Sequence, residues 1–289
     1  MRSSFFPLVL LLLLTALPAA AGPYTETGID KDDPAIIAWA SDYANYLPAD
    51  GVDEQWRTPE KTLGPASGDL YDVTALGERA LDSTDPPGEI TLTFAEPLRD
   101  REGADLVVFE NSFPLGEGLF IELGFVEVST DGAQWARFPS VSLTAGPVGD
   151  YGLLDPTDLH NLAGKFQNAF TVNLGTPFDL ADLQGDEAVI DGLVDLQDVR
   201  FVKIVDVPGG GDYYDNATAL GYDANHPIYD AHPTYGSGGF DLEAIGALDM
   251  SQSDPSASDD DDDDLGDDDD WREDEGDDDD DDDDAGGCA

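Results

Sequence analysis

Apolar residues in the central part of the chain alternate with polar ones at the period of β-strands. Residues 89–94 place Ile90, Leu92 and Phe94 on one face and threonines on the other, which predicts a half-buried strand. Residues 105–110 are apolar on both faces, so a strand there belongs inside a sheet. Similar patterns predict further strands over residues 120–128, 141–143, 199–207 and 240–248.

The segment 118–138 predicts a β-hairpin that ends close to Trp135. Two β-rich runs flank residues 129–132, which read Ser-Thr-Asp-Gly. An Asp-Gly pair between such runs is a strong hairpin signal, because Gly132 accepts a positive φ without steric cost. Hairpins of this kind, ending in an aromatic residue, are typical of extracellular jelly-roll binding modules and favour a binding scaffold over a catalytic one.

Helical patterns are short and few. Asp33 followed by proline suits a helix start, and the apolar spacing after it predicts a short helix over residues 34–46. Residues 159–166 are a second helix candidate. Many short strands, long loops and few helical periods predict an all-β fold, a jelly-roll β-sandwich with long loops and one or two short helices. There is no internal repeat, so one folded domain is expected over residues 22–250.

Residues 1–21 are predicted to be a secretory signal peptide. Arg2 supplies the positive start, an apolar run follows, and Ala19 and Ala21 fit the rule for signal cleavage. The apolar run is shorter than the roughly 20 residues that span a bilayer, and no other such run exists. We therefore expect a secreted or cell-surface protein with no transmembrane span in the mature chain.

The charge of the chain is strongly negative, with 64 acidic and 12 basic residues and a net charge of −52. This argues against nucleic acid and anionic lipid as partners. Residues 251–289 are predicted to be a disordered acidic tail, because aspartate runs bury no apolar surface and repel one another. Such a tail either solvates the protein or binds divalent cations weakly, since hard cations prefer carboxylate oxygens.

The chain has one cysteine, Cys288, so no internal disulfide can form and the core must stabilise the fold. The aspartate run followed by Ala-Gly-Gly-Cys (285–288) resembles the start of a MYXO-CTERM-type sorting region. That pattern continues into an apolar helix and a basic cluster, which this sequence does not contain. The resemblance implies anchoring through Cys288, and the alternative is an unpaired thiol.

Eight motifs follow one another over residues 60–248. They are LGPASG (63–68), ITLTF (90–94), DLVVFENSF (105–113), FIELGFVEVSTDGAQWARFP (120–139), DPTDLHNLAG (155–164), GTPFDL (175–180), VRFVKIVDV (199–207) and PIYDAHPTYGSGGFDLEAIGAL (227–248). In this order they resemble a family of exported bacterial cell-surface proteins with a galactose-binding-like (discoidin-type) jelly-roll domain. The resemblance implies a surface or periplasmic binding role without catalytic activity.

The last predicted strand carries two carboxylates, Asp241 and Glu243, whose spacing places them on one face. Burying them unpaired would be costly, and a bound cation would neutralise them. Jelly-roll binding modules often carry a structural Ca²⁺ near the closing strand, held in part by an N-terminal loop. The expected loop ligands are Asp69 and Asp72. The alternative is an edge strand whose acids face water.

Glu110 and Asn111 follow the buried strand at a position where the loops of a sandwich form a binding face. They are candidates for contacting a cation or a ligand. The alternative is that Glu110 pairs with Arg137 or Arg200 and that Asn111 caps a turn.

The loop 209–239 combines tyrosines with aspartates. Aromatic rings stack on the apolar faces of sugars, and carboxylates accept their hydroxyl groups. The candidate ligand-binding tyrosines are Tyr213, Tyr214, Tyr229 and Tyr235. The alternative is an ordered lid whose tyrosines pack on the sandwich.

The sequence contains no recognisable catalytic motif around its three histidines, His160, His226 and His232. We therefore predict a non-catalytic, Ca²⁺-stabilised module that binds a carbohydrate or another extracellular ligand. One alternative is a secreted hydrolase that uses loop carboxylates, with His226 or His232. Another is a structural envelope protein that presents a cation-binding acidic tail.

Overall fold

The computed structural model describes residues 21–79 and 83–253, and regular structure there is mostly β. The predicted signal peptide apart from Ala21, and the predicted acidic tail apart from residues 251–253, lie outside this part of the chain. The strands are β1 (Ile29–Asp30), β2 (Ile36–Trp39), β3 (Asp42–Leu47), β4 (Thr74–Ala75), β5 (Glu89–Leu98), β6 (Leu106–Glu110), β7 (Phe113–Leu115), β8 (Gly118–Phe120), β9 (Gly124–Ser129), β10 (Ala136–Arg137), β11 (Val141–Ser142), β12 (Leu159–His160), β13 (Asn168–Ala169), β14 (Val172–Phe178), β15 (Val199–Asp206), β16 (Gly210–Tyr214), β17 (Pro227–Tyr229) and β18 (Asp241–Leu248).

Helical structure in the described residues is limited to one α-helical turn, α1 (Glu187–Ile190), and short 3₁₀ segments. The 3₁₀ segments are Glu54–Trp56, Pro59–Thr62, Pro156–Asp158, Leu180–Leu183, Ala217–Leu220 and Met250–Ser253. None of these helices has the length and apolar character needed to cross a bilayer.

Two antiparallel sheets make up the sandwich. The first sheet has the order β1-β14-β6-β18-β2, with β4 paired to β18 and β13 paired to β14. The second sheet has the order β10-β9-β15-β5-β3. Three two-stranded ribbons, β7-β8, β11-β12 and β16-β17, lie in the long connections. The prediction of an all-β sandwich with long loops and few short helices is confirmed.

The main core lies between the two sheets, and β6 shows how the sequence builds it. Leu106 and Val108 belong to the core cluster that also contains Val202 and Ile204 of the second sheet. The alternate residues of β6, Val107 and Phe109, belong to a separate cluster on the opposite face. A strand buried on both faces must be apolar throughout, so the prediction for residues 105–110 is confirmed.

The predicted hairpin at residues 129–132 is also confirmed. It joins β9 to β10, with Ala136 opposite Val128 in the antiparallel register. Gly132 has a φ of +76°, and its N–H donates to Ser129 Oγ at 2.8 Å. The ring of Trp135 lies 4.0 Å from the ammonium group of Lys203, so it contacts a cation on the neighbouring strand β15.

The two helix predictions are wrong. Residues 34–46 form β2 and β3, which pair with β18 in the first sheet and β5 in the second. Asp33 does start a turn there, since its side chain accepts the N–H of Ala35 at 2.8 Å, but the chain then becomes extended. Residues 159–166 begin with β12 and continue as loop. Pairing with neighbouring strands outweighs a weak local helical preference.

Candidate functional site

Acidic residues collect at one end of the sandwich because of where the strands begin and end. In the first sheet β6 ends at Glu110, and beside it β18 begins at Asp241. In the second sheet β15 ends at Asp206. The N–H of Phe240 donates to Asp206 Oδ1 at 2.8 Å, so these strand ends meet at the same end of the two sheets.

Two further acids join this group from loops, Glu122 just before β9 and Asp230 just after β17. We call the five residues the carboxylate cluster: Glu110, Glu122, Asp206, Asp230 and Asp241. Each is buried, with 5% or less of its surface exposed. Within the described residues, none of the five has a lysine, arginine or histidine nitrogen within 4.0 Å. The cluster is therefore a concentration of buried acids without a basic partner.

Backbone amides stabilise part of the cluster. Glu122 Oε1 accepts the N–H of Gly239 at 2.8 Å, next to the Phe240 amide that donates to Asp206. Asp230 Oδ2 accepts the N–H of Leu123 at 2.9 Å. These bonds hold the loops against the ends of the strands.

Glu110 is bonded to its own turn. Its Oε2 atom accepts the N–H of Ser112 at 2.8 Å and also the hydroxyl group of that serine. The alternative that Glu110 pairs with an arginine is wrong. Arg137 bonds Glu127 instead, with Nε to Oε1 at 2.8 Å, and Arg200 bonds the side chain of Asp198.

Two oxygens of the cluster have no hydrogen-bond partner among the described residues, Asp241 Oδ1 and Asp206 Oδ2. The other oxygen of Asp241 accepts a long bond of 3.3 Å from the Asn111 amide. A buried acceptor without a donor costs about 1–3 kcal/mol, and more when it is charged. Asp241 and Asp206 are thus the two acids of the cluster with an unpartnered oxygen among the described residues.

Burial and mutual repulsion both act on the protonation of these acids. Burial raises the pKa of Asp206 to about 8, and the charge of Asp241 adds to this. Burial also raises the pKa of Glu110 and of Glu122 well above the usual value, again with a contribution from Asp241. The pKa of Asp230 is raised by burial and by its acidic neighbours Asp206 and Glu110. The five carboxyls therefore interact as one group in which Asp241 is central.

A cleft of about 340 Å³ opens over this cluster, with Glu122, Asp241 and Asn111 among its lining residues. We call it the aromatic cleft, because six rings line it: Trp56, Tyr71, Phe113, Phe120, Tyr151 and Tyr235. Three of the six are unusually exposed for aromatic residues, Tyr71 at 66%, Tyr151 at 73% and Tyr235 at 82%. Large rings held at the mouth of a polar cleft are available to contact a ligand.

The rings of the aromatic cleft support one another in pairs. Trp56 and Tyr71 have ring centroids 6.3 Å apart and planes inclined by 29°. Phe113 and Phe120 stack across the β7-β8 ribbon at 5.0 Å. The cleft wall is therefore built from packed pairs rather than from isolated side chains.

A second cleft of about 840 Å³ lies beside the first, and Tyr235 lines both. It contains His232, whose Nδ1 contacts Glu78 Oε1. Glu78 Oε2 accepts the hydroxyl of Thr234 at 2.7 Å. His226, the other loop histidine, bonds Asp215 with Nδ1 to Oδ2 at 2.9 Å, and it is not among the residues that line either described cleft.

The structure brings some of the predicted ligand-binding residues together and separates others. Asn111 and Tyr235 line the aromatic cleft, and Glu110 lies beneath it in the carboxylate cluster. The remaining tyrosines belong to the β16-β17 ribbon and line neither of the clefts described above. They are Tyr213, which packs on a core cluster, Tyr214, which is 58% exposed, and Tyr229, which is half-buried.

The predicted metal ligands are also in different surroundings. Asp241 and Glu243 are both buried, so the alternative that they face water is wrong. A register shift between residues 242 and 244 separates their environments. Glu243 Oε1 accepts the N–H and hydroxyl of Ser67 and the N–H of Gly68, at 2.6 to 2.8 Å. Its Oε2 accepts a hydrogen bond from the side-chain amide of Asn168 at 2.5 Å. Both oxygens of Glu243 therefore already have donors from the protein.

The two loop aspartates predicted as metal ligands lie outside the cluster. Asp69 is exposed and accepts the N–H of Tyr71 at 2.9 Å. Asp72 forms an ion pair with Lys61 at 3.5 Å. The contacts observed for both are those of surface acids, and the structure does not gather them around Asp241.

One group of three acids in the described residues has ligand oxygens within 4.8 Å of one another: Asp100, Asp105 and Asp179. No three acids of the carboxylate cluster have oxygens that lie this close together. Asp105 accepts the backbone N–H groups of Arg101 and Leu180, each at 2.9 Å, and Asp179 caps the 3₁₀ segment that follows it. Since backbone donors account for the position of Asp105 and Asp179, we assign no ligand to this group.

No protein-family model matches the chain. No curated protein matches its sequence either. The resemblance to the discoidin-type cell-surface family therefore stays a prediction, and function is argued from the geometry of the site.

Proposed function

We propose that the chain is a secreted or cell-surface binding module that recognises a carbohydrate or another extracellular ligand in the aromatic cleft, without catalysis. The observation that carries this proposal is the combination, in one cleft, of exposed tyrosine rings and carboxylates that retain free acceptor capacity. Calcium belongs to the proposal as an ion that stabilises the fold.

The chemistry of the cleft suits a sugar. Its exposed rings offer flat apolar surfaces for the C–H faces of a sugar, while Asp241 and Glu122 can accept hydroxyl groups. Asn111 adds an amide oxygen that can accept, since its nitrogen already donates to the Leu70 carbonyl and to Asp241. A volume of about 340 Å³ is within the range of roughly 300–1,000 Å³ found for small-ligand sites.

An exterior location is supported by the sequence. The N-terminal segment has the features of a secretory signal. An exported binding protein encounters glycans outside the cell. The loops of a sandwich end are a common place for such sites, because a rigid scaffold holds them. The aromatic cleft lies at such an end.

A glycan array tests the proposal directly, with the mature chain as the probe and titration calorimetry on any glycan that binds. Tyr151→Ala and Tyr235→Ala should each weaken binding, roughly tenfold for the loss of a stacking ring. Tyr214→Ala is the matched control, because Tyr214 is exposed but lies outside the aromatic cleft. Equal losses in all three variants, or no bound glycan at all, would argue against a sugar site here.

A glycoside hydrolase is the second candidate, and one observation favours it. Glu122 and Asp241 both line the aromatic cleft, and burial raises the pKa of Glu122 well above the usual value. A carboxyl whose pKa is raised by burial can act as general acid, and glycoside hydrolysis uses a pair of carboxylates. Neither loop histidine lines this cleft within the described residues, so this version of the hydrolase would not use His226 or His232.

The two candidates give different results with a glycan that binds. A hydrolase would release a shorter product over time, and Glu122→Gln would bind the glycan but stop the release. If the chain is a binding module, the glycan is recovered uncleaved after incubation with the wild-type protein. Mass spectrometry of the glycan after incubation separates these outcomes.

A further inference from the structure

The acids of the aromatic cleft face no cation from the described protein. Three carboxylates line the cleft, those of Glu122, Asp150 and Asp241, and no lysine, arginine or histidine is among the described residues that line it. The five members of the carboxylate cluster likewise have no basic nitrogen within 4.0 Å in the described chain. A cleft of this composition has a negative potential and favours a ligand that carries positive charge.

Asp241 supplies an observation beyond acidity that points to a ligand. Its side chain lines the cleft although only 3% of the residue surface is exposed, and its Oδ1 atom has no hydrogen-bond partner within the described chain. The Asn111 amide donates to the other oxygen at 3.3 Å, so the side chain is oriented while Oδ1 has no donor. A buried carboxylate oxygen without a donor is costly, and a ligand N–H that reaches it would remove that cost.

A ligand ammonium group fits this arrangement better than a bare metal ion does. Among the described residues, no three acids of the carboxylate cluster have oxygens within 4.8 Å of one another, so they do not form a shell around one small cation. An ammonium group needs no such shell, because it carries its own N–H donors and one carboxylate is enough to pair with it. The resulting hydrogen bond is charge-assisted and roughly twice as strong as a neutral one.

Burial acts on Asp241 in the direction expected of an acid without a cationic partner. It raises the pKa of the carboxyl well above the usual value, and hydrogen bonds from Asn111 and Ser237 lower the pKa only in part. An opposite charge within about 4–6 Å of a carboxyl favours its ionised form. A ligand ammonium beside Oδ1 would therefore offset the effect of burial that the protein itself leaves in place.

The rings of the aromatic cleft suit a ligand that is both a sugar and a cation. The face of an aromatic ring attracts a cation, and the C–H face of a sugar stacks on it. The exposed rings of Tyr151 and Tyr235 line the same cleft as the buried carboxylates of Glu122 and Asp241. A sugar with a free amino group offers a ring face to the tyrosines and an ammonium to the carboxylates. A neutral sugar offers only the first, and an alkyl amine only the second.

We infer that the aromatic cleft recognises an amino sugar whose amino group is free and protonated, with the carboxylates of Asp241 and Glu122 as acceptors for the ammonium. The inference rests on the proposed function and narrows it from carbohydrates in general to one class. An N-acetyl group removes the positive charge and leaves the buried carboxylates unpaired, so N-acetylated sugars are discriminated against.

Titration calorimetry of the mature chain with three disaccharides of the same linkage tests the inference, at about pH 6.5 and physiological salt. The disaccharides are those of glucosamine, N-acetylglucosamine and glucose, which differ only in the group at one position of each ring. The glucosamine disaccharide should bind at least roughly tenfold more tightly than the other two, because hydrogen bonds between charged groups contribute more than neutral ones. Diaminopentane is the fourth probe, as an amine without a sugar.

Three variants locate the effect. Asp241→Asn should lower the affinity for the glucosamine disaccharide to that for the glucose disaccharide and change the latter little. Asp32→Asn is the matched control, because Asp32 is an exposed acid that lines neither described cleft, and it should keep the tenfold preference. Tyr235→Ala should weaken all three disaccharides by a similar factor, since they share the ring face. The aspartate-rich tail is the same in every variant, so differences between variants report on the cleft.

The outcomes separate this inference from the proposed function. Equal affinity for the three disaccharides would overturn the inference and leave the proposed function unaffected. A preference for glucosamine that survives in Asp241→Asn, or in Glu122→Gln if the first variant does not fold, would also overturn it, because the amine would then bind elsewhere. Diaminopentane binding as tightly as the glucosamine disaccharide, with no effect of Tyr235→Ala, would overturn the sugar site and the amino sugar together. Binding of none of the four probes would overturn the inference alone, since the glycan array tests other sugars.

Discussion

The backbone N–H of Phe240 donates to Asp206 Oδ1 at 2.8 Å, and this bond joins the two sheets at the end where the acids collect. Phe240 precedes β18 of the first sheet, and Asp206 is the last residue of β15 in the second. The bond orients Asp206, and its other oxygen has no donor within residues 21–79 and 83–253. One contact therefore both closes the sandwich and shapes the carboxylate cluster.

Asp206→Asn should stabilise the calcium-free protein at neutral pH. The asparagine keeps an acceptor for the Phe240 amide and removes an acid whose burial is unfavourable, so the free energy of unfolding in EDTA should rise by about 1–3 kcal/mol. Urea unfolding of the two proteins in EDTA measures this, and a destabilised variant would contradict it.

The ion pair between Glu26, which precedes β1, and Lys165, which follows β12, should make the protein sensitive to acid. Burial alone would raise the pKa of Glu26, but hydrogen bonds from His160 and Lys165 outweigh it and lower the pKa to about 2. An acid whose folded pKa lies below its unfolded value of 4.5 stabilises the protein fully above that value. Its contribution is lost as the pH falls from about 4.5 towards 2.

Glu26→Gln tests this relationship. Lys165 is buried and its ammonium donates to Glu26 Oε1 at 2.6 Å, so removing the charge should cost about 1–2 kcal/mol at pH 7, reduced by the partial exposure of Glu26. Below pH 3 the difference from wild type should shrink. Asp32→Asn is the control, because its pair with Lys31 is exposed. Unfolding curves from pH 2 to 7 measure the free energies of unfolding of wild type and Glu26→Gln. A difference between them that stays constant over this range would contradict the assignment.

The fold could be predicted from the sequence where a local pattern and the final packing agree. Residues 105–110 are apolar on both faces because β6 is buried on both faces, so composition alone indicated its place inside a sheet. The Asp-Gly turn before Trp135 is likewise a local signal, since Gly132 has the positive φ that the turn requires. Both features are determined by residues that are close together in the sequence.

The first two long strands could not be predicted in this way. Residues 34–46 have apolar spacings that fit a helix loosely, and only pairing with β18 and β5, far along the chain, makes them extended. The chain passes between the sheets at Ala40 and Ser41, whose amides bond carbonyl groups of Ile245 and Thr93 respectively. Long-range pairing of this kind leaves no local signal.

The candidate site was predictable in part. Buried acid within an apolar run was the signal that identified Asp241 and Glu243, and the same signal marks Glu122 in FIELGF and Asp206 in VKIVDV. Which acids meet, and which one receives backbone donors as Glu243 does, depends on strand register and loop packing.

The rings of the aromatic cleft gave a weaker signal. Trp56, Tyr71, Phe113 and Tyr151 come from four separate loops and ribbons, so no sequence pattern links them. The rings of the tyrosine-rich loop 209–239 are close in sequence, yet only Tyr235 of the four candidates lines the cleft. Proximity along the chain is a poor guide to proximity around a loop-built cleft.

The predicted hairpin turn gives a stability test of its own. Gly132→Ala should destabilise the protein by about 1 kcal/mol, because alanine is disfavoured at a φ of +76°. Gly185→Ala is the control, since a Cβ there meets nothing within 4 Å and its φ is not in the left-handed region. Chemical unfolding that ranks the two variants in the opposite order would contradict the assigned turn.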